Sequence, residues 1–293
     1  MGRMTIIGAV FLPQLPPERL RDVARAADQA GLEELWLWED CFRESGIASA
    51  AAALAWTGRL RVGVGLLPVP LRNVALTAME IATLHRLFPD RVIVGVGHGV
   101  QDWMGQVGVR VESPVTLLRE YVMALRALLS GEMVTAAGRY VRLDEVRLDW
   151  PPLSVPDLTV GASGPRSLRL CGEVADGTIL TGGTSPDGVR HARQLMEQGR
   201  LAGGRSETHS VTVYLLTATG PGAARRLETE QRAWGYDLTQ EVGVAGDAHA
   251  VAEAIRRWAD AGADKVVLQP TADEPDPEGF VRFIAGEVRP LVQ

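Results

Sequence analysis

The sequence predicts a (β/α)8 barrel, a closed ring of parallel strands with a helix after each. Three observations predict it. Short, β-branched apolar runs such as Arg91-Val92-Ile93-Val94 read as strands covered on both faces. These runs alternate with helical stretches eight times along the chain. The competing open, doubly wound sheet wants its glycine fingerprint after the first strand. Here that strand ends in Leu12-Pro13-Gln14, and the Gly-X-Gly-X-Gly string Gly95–Gly99 comes only after the fourth, without the full spacing. The expected organisation is one domain over residues 1–293, with insertions after helix four and strand seven.

Each element has its own signal. Ile6–Leu12 is the first strand. Pro16 and Pro17 open a helix where a missing N–H costs nothing. Leu20, Val23, Ala24 and Ala27 line its inner face, and Gly31 stops it. Glu34–Trp38 is the second strand and runs into Glu39-Asp40-Cys41-Phe42. Ala48–Trp56 is a helix of small residues, able to pack closely on a sheet. Arg61–Leu67 is strand three, followed by Pro68-Val69-Pro70, the helix Val74–Phe88 and strand four, Val92–Gly97. Pro114 begins a long helix with Leu117, Tyr121, Leu125 and Leu128 on one face. Gly131–Leu148 breaks the rhythm and reads as a short β-hairpin excursion. Pro151, Pro152 and Pro156 form a stiff connector.

The alternation then resumes. Leu158–Gly161 is strand five, with a helix through Leu170, and Gly177–Thr181 is strand six, with the helix Pro186–Ala202. Val211–Ala218 is strand seven. Pro221–Val244 is an irregular, partly helical insertion. Asp247 caps a helix whose apolar face is Val251, Ala254, Ile255 and Trp258. Lys265–Gln269 is strand eight, and Glu278–Val288 the closing helix.

Composition narrows the functional classes. Hydrophobic residues make up 46% of the chain, enough for a full core. A net charge of −6 argues against nucleic-acid or anionic-membrane partners. Two distant cysteines, Cys41 and Cys171, with no zinc spacing, fit a reducing cytoplasm. Met1–Thr5 shows no leader pattern, and the longest apolar stretch, Ile47–Trp56, is too short to span a bilayer. No His-Glu-X-X-His, Gly-X-Ser-X-Gly or Walker loop occurs, so no metal site is expected.

Barrel chemistry sits at the C-terminal strand ends. Strand two offers Glu39, Asp40 and Cys41; strand three offers Gly65, Leu66, Leu67 and Pro68; strand four offers His98, Gly99 and Asp102. Strand five offers Ser163, Gly164, Arg166 and Ser167. The last group is the best anion site, since Pro165 stands at a first helical position with free N–H groups around it. The plainer alternative is a helix cap with a solvated arginine. Asp40 can hold a ring N–H or move a proton, or else cap a helix. His98 can donate to a ligand carbonyl, or be incidental to a tight turn. Cys41 reads as a small hydrophobe before a nucleophile. Gly95, Gly97 and Gly99 allow backbone to approach a flat or phosphorylated ligand. Trp36, Trp38 and Trp103 wall an aromatic pocket or belong to the core. A barrel lyase or aldolase would want a lysine at a strand end, and the single lysine, Lys265, begins a strand.

Taken together, these strand ends resemble the bacterial luciferase-like superfamily of flavin and deazaflavin oxidoreductases, and most of all its coenzyme F420-dependent branch. The matching pieces are Ala26–Leu32 into Leu35-Trp36-Leu37; Asp40-Cys41-Phe42, like the branch's Asp-His-Phe; and Val62–Leu66. Further on come Arg91–Gly99, Leu118–Tyr121, Gly161–Pro165 and Ala175-Asp176-Gly177. The resemblance implies F420 as cofactor, with FMN as the alternative, and a homodimer acting on a small organic substrate. It implies Asp40 against the ring and a non-prolyl cis peptide at Gly65–Leu66 backing it. Leu67 and Pro68 would lie at the ring's edge, and His98, Gly99 and Trp103 beside it. The cofactor phosphate would go to Ser163, Gly164, Arg166 and Ser167, and the catalytic pair would be Asp40 and His98. Two positions depart from the branch: Cys41 stands where its sugar-phosphate and alcohol enzymes have histidine, and Val100 where the sugar-phosphate enzyme has an acid. Sugar-phosphate or simple alcohol dehydrogenation is therefore not expected: either His98 or Asp40 serves as proton carrier, or the reaction is a reduction that needs only a solvent proton. The alternatives are an FMN-dependent monooxygenase and a non-catalytic flavin-binding relative.

Overall fold

The computed structural model describes residues 5–293; Met1–Met4, part of the stretch read above as lacking a leader, lie outside the described residues. The first half runs β1 (Ile6–Phe11), α1 (Leu20–Ala30), β2 (Glu34–Leu37), α2 (Gly46–Trp56), β3 (Arg61–Pro68), α3 (Val74–Leu87), β4 (Val92–Gly97), α4 (Gln101–Gln106) and α5 (Pro114–Leu129). The hairpin β5 (Val134–Ala137) and β6 (Arg142–Val146) follows, then β7 (Thr159–Gly161), α6 (Pro165–Val174), β8 (Gly177–Leu180), α7 (Pro186–Ala202) and β9 (Ser210–Ala218). The chain closes with α8 (Ala223–Ala233), β10 (Gly243–Ala245), α9 (Ala248–Asp260), β11 (Lys265–Pro270) and α10 (Pro277–Phe283).

Eight strands form the ring in the order β1-β2-β3-β4-β7-β8-β9-β11, all parallel. β11 returns to β1 in the register Ile6↔Lys265, and β8 meets β9 at Gly177↔Ser210. The predicted (β/α)8 barrel is the fold found, with the hairpin after the fourth strand unit and the insertion after β9. Two details go beyond the sequence reading. The short α4 fills the loop after β4, and β10, a third strand on β9, pairs with its C-terminal end at Val244↔Thr217.

Two cores hold the barrel. The larger lies between sheet and helices, where α1 contributes Leu20, Val23, Ala24 and Ala27, as its periodicity predicts. Gly31 ends that helix in the left-handed conformation at φ 75°, which glycine adopts without a Cβ penalty. Ser45, Asn73 and Asp247 cap α2, α3 and α9 with their side chains, each worth about 1 kcal/mol. The smaller core fills the ring with Val10, Trp36, Ile93, Ile179, Tyr214, Val267 and their neighbours.

Glycines inside the ring make that filling fit. A Cβ on Gly63 would stand 2.5 Å from the Trp36 ring, and one on Gly95 2.5 Å from Ile179 Cδ1. At the N-terminal end, fully buried Glu34 is neutralised by Lys265 at 2.8 Å and Arg61 at 3.0 Å, and accepts from Trp36 Nε1 at 2.9 Å. Tyr214 Oη crosses the ring to donate to the Gly65 carbonyl at 3.0 Å. That link ties β9 to β3 and forms the floor of the space above.

Candidate active site

A cavity of about 370 Å³ opens at the C-terminal end of the ring, bounded by the ends of β2, β3, β4, β7, β8 and β11 and by the insertion after β9. Its walls are mostly apolar and flat. Trp38 lines it, as do Leu66, Pro68 and Trp103. Trp36, on the same strand face as Trp38, is fully buried below. The cis Gly65–Leu66 peptide is present, at a register shift of β3 against β4 between Val64 and Leu67. A second non-prolyl cis peptide, Cys41–Phe42, follows β2 and had no counterpart in the sequence reading. Leu66 fills the space beside two glycines: a Cβ on Gly97 would stand 2.6 Å from Leu66 Cδ2, and one on Gly161 2.2 Å.

Asp40 lies in this cavity, and its carboxylate has no hydrogen-bond partner among the described residues. Burial raises its pKa, with Arg43 opposing. It is not a helix cap, because Ser45 takes that position on α2. Its neighbour Glu39 is engaged structurally, accepting from Gly46 N at 2.8 Å and from Arg72 Nε and Nη2 at 3.0 and 2.7 Å. The Cys41 thiol is half-buried, and burial with the charges of Glu39 and Asp40 raises its pKa. It is therefore a thiol at neutral pH and not an activated nucleophile.

His98 lines the same cavity from just past the end of β4, and its Nε2 lies 2.8 Å from Ser167 Oγ. Burial lowers its pKa, partly offset by the backbone of Pro114, so the ring is neutral at pH 7. Gly99 adopts φ 67°, and a Cβ there would strike Pro68 at 2.8 Å, which explains the glycine. Ser163, Gly164 and Ser167 bring the N-terminus of α6 to the same cavity. No side chain caps this helix, and a Cβ on Gly164 would meet no protein atom within 4 Å. The free N–H groups of the first turn therefore face an open cradle suited to an anion.

Of the residues the sequence analysis singled out, Asp40, Gly65, Leu66, Pro68, His98, Gly99, Trp103, Ser163, Gly164 and Ser167 line this one cavity. Leu67 does not; it pairs with Val96 and is buried in the outer core. Arg166 is exposed on the second residue of α6, outside the lining. Thr181 and Gln269, which the sequence reading passed over, complete the rim with Gly182 and with Trp234 and Tyr236 of the insertion after β9. Gln269 carried a readable signal, a polar residue closing the apolar run Val266-Val267-Leu268 at a strand end. Tyr214, midway along β9, carried none.

No helix among the described residues is long and apolar enough to cross a membrane, and no group of metal-ligating side chains occurs among them. A (β/α)8 barrel with a flat apolar cleft, a half-buried, unpartnered acid and a helix N-terminus at its end is the framework of an enzyme for planar, phosphorylated ligands. Residues 7–236 match the luciferase-like monooxygenase family model, and the chain belongs to that family. It is similar to the 5,10-methylenetetrahydromethanopterin reductase of Methanolobus tindarius, 28% identical over 76% of this chain and 68% of that protein. It is also similar to an F420-dependent glucose-6-phosphate dehydrogenase of Nakamurella multipartita, 29% identical over 84% of this chain and 79% of the other. Among solved structures, an F420-dependent secondary alcohol dehydrogenase in complex with an F420-acetone adduct shares the fold. Its TM-score is 0.88 at 21% identity, covering 99% of each chain.

Proposed function

We propose that this protein is an F420-dependent oxidoreductase that reduces a small organic molecule. The observation that carries the reading is the convergence of Asp40, Leu66, His98 and Ser163 on one cleft from four separate strand ends. The residues fit the cofactor. Leu66 and Pro68 present an apolar wall for a planar ring, and the uncapped start of α6 with Ser163 and Ser167 accepts a phosphate. When bound, a reduced deazaflavin supplies a hydride.

The protein's own part is positioning, exclusion of water and one proton. Asp40, with its pKa raised and its carboxyl unpartnered, holds or delivers that proton within the cavity. His98 is neutral and engages Ser167 through Nε2, so it positions the start of α6 from the side of β4, while its buried Nδ1 has no hydrogen-bond partner among the described residues. Val100 and Cys41 offer no second carboxylate or imidazole, which favours reduction with a solvent-derived proton over sugar-phosphate or alcohol oxidation. The reading includes a homodimeric, cytoplasmic enzyme whose partners are small molecules; the family resemblance and the net charge of −6 support this.

FMN is the second reading, favoured by the monooxygenase description of the family. Fluorescence titration of the purified protein with F420 and with FMN tests both. F420 is expected to bind more tightly. Tighter FMN binding moves the assignment to a flavin monooxygenase, and binding of neither overturns the enzyme reading.

A further inference from the structure

The rim of the cavity has two halves. Asp40, Leu66, His98 and Ser163 occupy the arc from β2 to β7. The opposite arc, β8–β9–β11, carries Gly182, Tyr236 and Gln269, to which the cofactor reading assigns nothing.

Gln269, at the end of β11, is only 2% exposed, yet its carboxamide has no hydrogen-bond partner among the described residues. Its amide atoms are not among the fully enclosed polar atoms that lack a partner, so the carboxamide opens onto the cavity. The hydroxyl of Tyr236 is likewise unpartnered. Both tips lie beside Gly182. A Cβ built on Gly182 would lie 2.8 Å from Gln269 Oε1 and 3.2 Å from Tyr236 Oη.

Tyr236 is held in place. Its ring stacks on Trp234 at 6.2 Å and packs over Gly183, where a Cβ would come within 2.6 Å. Trp234 Nε1 donates to Glu230 at 2.9 Å, and the other oxygen of Glu230 accepts from Ala272 N at 3.1 Å, just past β11. The insertion is thereby anchored beside Gln269. Among the described residues lining the cavity there is no lysine or arginine.

We propose that Gln269 and Tyr236 are the specificity residues for the hydride acceptor, and that the acceptor is a neutral, flat, conjugated carbonyl compound. The proposal rests on the oxidoreductase reading above. With Oε1 against Gly182, the amide offers Nε2–H to a ligand; with the phenol O–H on the same rim it can donate to a carbonyl oxygen, and such donation draws electrons from the carbon that takes the hydride. Trp234 and Trp103 supply flat apolar walls. Without a cation in the lining, an anionic acceptor would be buried unpaired.

The test uses protein saturated with oxidised F420, so that binding is read without turnover. Tryptophan quenching is followed with 1,4-naphthoquinone, with 2-cyclohexen-1-one, and with 1,4-naphthoquinone-2-sulfonate as the charged counterpart. A neutral probe is expected to bind, and the sulfonate about tenfold or more weaker. Gln269→Leu and Tyr236→Phe are each expected to weaken the neutral probe about three- to tenfold, with F420 affinity unchanged. The proposal is overturned if neither neutral probe binds, if the sulfonate binds equally well, or if both variants keep wild-type affinity. Loss of F420 affinity in Gln269→Leu would instead place Gln269 at the cofactor. Failure of F420 to bind wild-type protein sinks the underlying reading separately.

Discussion

Replacing Tyr214 with phenylalanine deletes one hydroxyl and keeps the ring. The residue is 4% exposed, and burial raises the phenol pKa far enough that it is a donor at any working pH. Its ring meets Trp36 edge-on at 6.0 Å and Trp38 at 5.3 Å, contacts a phenylalanine preserves. What disappears is the 3.0 Å bond to the Gly65 carbonyl, the tie between β9 and β3 across the ring. A buried acceptor left without its donor costs about 1–3 kcal/mol. The lower end applies if water from the adjoining cavity reaches the carbonyl. For a chain of this size, about 2 °C of Tm per kcal/mol gives a fall of about 2–6 °C. Scanning calorimetry checks that, and urea unfolding should show a lower midpoint at unchanged slope. Because the same carbonyl leads into Leu66, F420 affinity should fall with it. A Tyr214→Phe protein with wild-type Tm, urea midpoint and F420 affinity would refute the idea that this bond shapes the cavity floor.

Two further outcomes follow from the site. Asp40→Asn should raise stability at pH 7.5. Burial lifts the native pKa of Asp40 above its unfolded value, so the native state binds more protons than the unfolded one between the two, and wild-type stability falls as pH rises through that window. The gain should shrink toward pH 4; urea midpoints showing no gain, or an equal gain at both pH values, would contradict the assignment. Gly161→Ala puts a methyl 2.2 Å from Leu66 Cδ2 and drives that side chain toward the ligand space. F420 affinity should drop about tenfold or more, at a stability cost of about 1–3 kcal/mol; unchanged fluorescence titration would show that Leu66 moves elsewhere.

The Leu66 contact also corrects how the glycines of the fourth strand are understood. Sequence alone reads Gly95 and Gly97 as openings for a ligand. In the folded chain they accommodate protein, Ile179 against Gly95 and Leu66 against Gly97. Gly99, at φ 67°, likewise makes room for Pro68, whereas Gly164 has open space over the start of α6.

The order of strands and helices was legible in the sequence because each strand's apolar run and each helix's periodic face are local patterns, set by which sides of an element meet the core. The arc from Asp40 through His98 to Ser163 was legible too, since a parallel barrel sends every strand's C-terminal end to the same rim. Tertiary structure alone decided the rest. Trp36 went to the interior and Trp38 to the cavity although both share a strand face, because the ring is packed below and open above. Tyr214 reached across to Gly65, Leu67 turned outward while Leu66 turned in, and Tyr236 came from a distant insertion to meet Gln269 over Gly182. Those placements depend on distances between residues far apart in the chain, and no pattern within one element encodes them.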